Sequence, residues 1–62
     1  MSKTALRYAM EQLALKLRNI AYIKQTNGNL KTDKMDRVVL WGESCAYADA
    51  ANQIEDLLKE TK

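Results

Sequence analysis

Apolar side chains recur along the first half of the chain in steps of three and four: Leu6, Met10, Leu13, Leu17, Ile20, then Ile23 or Lys24. That spacing puts one stripe along an α-helix. Strong helix formers fill the intervening positions, among them Ala5, Ala9, Glu11, Gln12, Ala14 and Arg18. The pattern predicts a helix over about 4–26, capped by Ser2 or Thr4. It predicts a stop in Gln25-Thr26-Asn27-Gly28-Asn29, where Asn27 or Gly28 suits the left-handed conformation that ends helices. A turn over 27–31 follows. A second helix over about 33–60 opens with Asp33 and Asp36 in the turn where the helix dipole favours negative charge. Leu40, Tyr47, Ala51, Ile54, Leu57 and Leu58 form its apolar stripe. Gly42 inside it marks either a bend or a place where another backbone comes close. Two long helices joined by a short turn fold back on each other, so the fold class is all-α, an antiparallel two-helix hairpin in one domain spanning 1–62.

Each helix carries more apolar residues than one contact needs. Tyr8, Leu15 and Tyr22 form a line roughly opposite Leu6, Leu13 and Ile20, and Val38, Trp41, Cys45 and Ala48 form a second line on the other helix. A helix apolar on more than one side is buried on more than one side. At 62 residues the core of a lone hairpin is marginal. With one cysteine no intrachain disulfide forms, and with no histidine a tetrahedral zinc site lacks ligands. Self-association remains, as a four-helix-bundle dimer or a higher closed oligomer. Leu15, Val38, Trp41, Cys45 and Ala48 are the expected oligomer-interface residues.

The net charge of +2 is small, but its halves differ. Residues 1–31 carry six basic side chains against Glu11 alone, a balance of +5; residues 32–62 carry four against seven acidic, a balance of −3. The simple account is a basic helix lying beside an acidic one; the functional account is a surface for an anionic partner. The longest apolar run, Val38-Val39-Leu40-Trp41, is far short of the roughly 20 residues of a membrane span. No apolar segment follows the first residues as in a signal peptide, and a lone free thiol suits a reducing compartment. The expected location is cytoplasmic.

No arrangement for catalysis appears, and none for a cofactor or metal is expected. Gly42-Glu43-Ser44-Cys45-Ala46 begins like a nucleophile elbow, but Ala46 replaces the second glycine, no strand precedes it, and there is no histidine to act as base. Cys45 has no basic neighbour in sequence to activate it and reads as a buried packing residue. Glu43 is expected to face solvent or to meet Arg37 or Arg7 across the hairpin.

The candidate binding face is on the first helix. Arg18 and Tyr22, four apart, share a side with Asn19 and Gln25, and Tyr8 extends it. Arg7 and Lys16 add charge on the same helix. Arginine, tyrosine and amides suit a phosphate-bearing aromatic ligand; the same Tyr8–Leu15–Tyr22 line serves equally as an oligomer seam. The functional expectation is a non-enzymatic homo-oligomeric binding protein, a small inhibitor or adaptor of the kind phages and plasmids carry, that occludes a protein partner. The alternatives are a sponge holding a small anionic ligand such as a nucleotide between subunits, and RNA or DNA binding through the basic first helix in a bundle built like the small plasmid-encoded Rop protein, without kinship in sequence.

Overall fold

The computed structural model describes residues 3–60. Two helices make up the fold, α1 (Lys3–Leu30) and α2 (Lys34–Glu60), linked by residues 31–33. Thr4 is already inside α1, and Ser2 lies outside the described residues. Asp33 caps α2: its Oδ1 accepts the Met35 amide at 2.8 Å, and its carbonyl accepts the Arg37 amide at 3.1 Å.

The first helix does not stop where the sequence predicts. It runs through Asn27-Gly28-Asn29 to Leu30, and no described residue has a positive φ. The turn is therefore three residues rather than five. Packing overrides the poor helix propensity of Asn27 and Gly28. Gly28 is buried, and a Cβ built on it would lie 2.8 Å from Trp41 Cδ1 and 3.3 Å from Leu40 Cβ. The glycine admits the indole ring instead of turning the chain. Asn29 then accepts the indole Nε1–H on its Oδ1 at 3.0 Å.

The helices meet along two matched series in steps of three and four. Arg7, Met10, Ala14, Leu17, Ala21, Lys24 and Gly28 are all buried or half-buried on α1; Arg37, Leu40, Ser44, Tyr47, Ala51, Ile54 and Leu58 are so on α2. Every seventh position is the most enclosed: Ala14, Ala21 and Gly28 against Ser44, Ala51 and Leu58. Small side chains there let the two backbones approach closely. Arg7 reaches the carbonyl of Leu58 (2.8 Å), and the buried Ser44 hydroxyl donates to the carbonyl of Ala21 (2.8 Å). The beginning of α1 thus lies at the end of α2, and the end of α1 at Trp41, near the start of α2. The result is a helical hairpin, a narrow body of 47 × 15 × 12 Å.

Two sequence expectations change here. Leu6 and Leu13, read as hairpin contacts, stay about half exposed, because the alanines take the seam and turn the leucines outward. Glu43 pairs with Lys24 at 3.3 Å rather than with Arg37 or Arg7. The second helix is continuous through Gly42, where an added Cβ would meet nothing within 4 Å.

Candidate functional site

A seam centred on alanine, glycine and serine leaves many of the large apolar side chains on the outside. Among the described residues twelve of them are exposed, including Tyr8, Leu15, Tyr22, Val38 and Trp41. Helical geometry sorts them into two broad sides flanking the seam. Tyr8, Leu15 and Tyr22 run down one flank of α1 at seven-residue intervals, and Val38, Cys45 and Asn52 run along the matching flank of α2. Two cross-links fix these as one side. Arg18 joins Glu55 and Asn52 there, and a single cleft takes its walls from Gln25, Asn29, Trp41 and Cys45. Of the residues expected to bind a ligand, Tyr8, Arg18, Tyr22 and Gln25 thus share a side with the expected interface residues Leu15, Val38, Trp41 and Cys45. Arg7 instead lies in the seam, Asn19 faces away from it, and Lys16, three after Leu13 and four before Ile20, falls on the other flank.

Its polar centre is internally satisfied. Arg18 Nε donates to Glu55 Oε1 at 2.7 Å, and a second guanidinium nitrogen donates to Asn52 Oδ1 at 2.6 Å. The hydrogen-bonded guanidinium holds the Glu55 carboxyl below its ordinary range, and the carboxylate raises Arg18 in return. Both side chains are about two-fifths exposed, so water screens the pair and its energy is small. The direction of its pH dependence is nonetheless defined. Glu55 has the lower pKa in the folded state, so the pair stabilises the hairpin above the ordinary value of 4.5, and that contribution fades as pH falls through the lowered folded value. Thermal midpoints measured against pH should therefore drop less steeply on the acid side for Glu55→Gln than for the wild-type chain; equal slopes would show that the pair is not formed.

Arg7 is also engaged, with one of the last four carbonyls of α2 and with Glu11 at 3.7 Å. Of the expected ligand residues, both arginines thus reach protein partners. Tyr8 and Tyr22, 63% and 70% exposed, stand out from the surface, as do Asn19, Lys16 and Gln25.

Trp41 anchors the other end of this side. The cleft beside it, about 260 Å³, is lined by Gln25, Asn29, Trp41, Ser44 and Cys45. The Arg37 guanidinium lies 5.9 Å from the centroid of the indole, within cation–π range. Sequence reading offers Arg37 only as a partner for Glu43 and misses this contact with Trp41, although the spacing of four was a usable signal. Cys45 is exposed rather than buried, because the seam passes through Ser44 and leaves the next residue on the flank. Ala48 is half-buried and Val38 exposed. Ser44, the would-be nucleophile, is enclosed with its hydroxyl already donated to Ala21.

The described residues hold no group of three or more potential metal ligands, and none of their helices is long and apolar enough to cross a membrane. Comparison with protein-family models, curated proteins and solved structures found no match to this chain.

Proposed function

We propose that this chain is a non-enzymatic, homo-oligomeric binding protein, an antiparallel hairpin that pairs with its own copies and occludes a protein partner in the manner of a small inhibitor or adaptor. One observation carries the reading: Tyr8, Tyr22 and Trp41 stand on the same side of the hairpin, outside its seam. Tyrosine, tryptophan and arginine are the residues that anchor protein–protein interfaces, each offering a large rigid apolar area with a polar tip. Arg18 is neutralised by Glu55, so it can sit at the hydrated rim of such an interface without leaving an isolated charge there.

The same neutralisation weakens the two alternatives. A nucleotide sponge or a nucleic-acid surface needs cations aimed outward at phosphate, whereas Arg7 and Arg18 are turned to α2. Native mass spectrometry of the protein purified from its own cells tests the reading. We expect a closed oligomer, with any retained mass protein-sized and resistant to added salt. A nucleotide-sized adduct would replace occlusion with ligand sequestration, and a monomer would remove the self-association.

A further inference from the structure

The two broad sides of the hairpin differ in kind. On the side away from Arg18, Leu6, Leu13 and Ile20 run along α1 at seven-residue intervals, opposite Leu57 and the half-buried Tyr47 and Ile54 of α2. The ion pair on that side, Lys24–Glu43, sits toward the link between the helices and leaves the strip of Leu13, Ile20, Tyr47 and Ile54 beside the seam free of ion pairs. The opposite side is interrupted near its centre by Arg18, Glu55 and Asn52, a polar cluster whose burial in a bundle interior would strip water from an ion pair for little return. Area points to a second subunit as well. The accessible surface is 4860 Å², whereas a compact protein of 7.1 kDa exposes about 4,100 Å². A standard protein interface covers roughly 800 Å² on each partner, which a broad side of this elongated body has the surface to supply. Charge supplies the orientation: with +5 on residues 1–31 and −3 on residues 32–62, a two-fold arrangement that sets each α1 beside the other copy's α2 brings opposite signs together.

We infer that a second copy of this chain covers the Leu6–Leu13–Ile20 side, closing a four-helix bundle with a mainly aliphatic interior that takes in Tyr47 and leaving Tyr8, Tyr22 and Trp41 on the outer surface. The inference rests on the self-association proposed above and names its face, which is not the Leu15–Val38–Cys45 flank that sequence alone suggests. Leu13 and Leu15 make a matched pair of reporters, since the isolated hairpin exposes them almost equally, at 48% and 56%. Hydroxyl-radical footprinting of the wild-type oligomer, with subunits counted by native mass spectrometry in the same sample, decides the matter. Leu15 labelled several-fold more than Leu13 is the expected result. Leu15 protected instead, or both leucines protected or labelled alike in an oligomer, overturns the assignment of the face. A monomer overturns self-association itself, and is recognised by the subunit count before any labelling is compared. Leu13→Glu should in addition yield monomers while Leu15→Glu remains assembled; should the former unfold, the wild-type footprint still decides.

Discussion

Replacing Ala51 with leucine will splay the two helices and destabilise the hairpin by about 1–3 kcal/mol, the usual cost of inserting methylenes into a packed site. Ala51 has no exposed surface at all and lies in the series, with Ser44 and Leu58, that faces Ala14, Ala21 and Gly28. A leucine has no neighbouring space to occupy unless the backbones separate. Separation would also lengthen the Ser44–Ala21 hydrogen bond and pull Arg18 from Glu55, since both span the seam. Thermal unfolding followed by far-ultraviolet circular dichroism gives the measurement, and for a domain of this size each kcal/mol moves the midpoint by roughly 4–8 °C. Ala51→Gly is the control. It keeps the close approach and loses helix propensity, about 1 kcal/mol, together with one buried methyl, about 0.8 kcal/mol. If leucine leaves the midpoint unchanged or raises it, the seam is not held by the closeness of its backbones.

The second large effect is a contrast in sign between the two glycines. Alanine in place of a helical glycine ordinarily stabilises by about 1 kcal/mol. At Gly42 nothing opposes that gain, because the added methyl meets no atom within 4 Å. At Gly28 the methyl would stand 2.8 and 2.9 Å from two indole atoms of Trp41 and 3.3 Å from a Leu40 carbon. The ring is broad and already fixed by Asn29 and Arg37, so it has to leave as a unit. Gly28→Ala should therefore lower the stability and shift Trp41 fluorescence, while Gly42→Ala should raise the stability with the emission unchanged. Equal shifts of midpoint for the two variants would show that Trp41 does not rest on Gly28.

These positions also show what the sequence made legible. The two helices were readable because apolar steps of three and four persist with no proline to interrupt them. The end of α1 was not, because Asn-Gly followed by Asn has the local chemistry of a stop, and only the indole of Trp41, thirteen positions on, supplies the reason for Gly28 to remain helical. The seam of α1 was misplaced for a related cause. Leucines and isoleucines dominate any apolar stripe, whereas Ala14 and Ala21 are as easily read as plain helix formers. On α2 the stripe of Leu40, Tyr47, Ala51, Ile54 and Leu58 lies on the seam, and only Leu57 falls outside it. Of the candidate site, the shared side of Tyr8, Leu15 and Tyr22 followed from periodicity. The engagement of Arg18 did not, since Glu55 is 37 residues away and only the register of the hairpin brings it near.

The small-residue seam has a consequence for how the molecule spends its conformational entropy. Alanine and glycine have no rotamers to lose, so the centre of the helix contact forms with little ordering of side chains. Several flexible apolar side chains are left outside: Leu6, Leu13, Leu15, Met35 and Leu57 stay exposed in the hairpin. Their ordering is deferred to association, where each immobilised side chain costs about 0.5–1.5 kcal/mol. The rigid aromatic rings, with only two side-chain torsions each, lose less when they are covered. A hairpin built in this way is preorganised in its backbone and adaptable in its aliphatic surface.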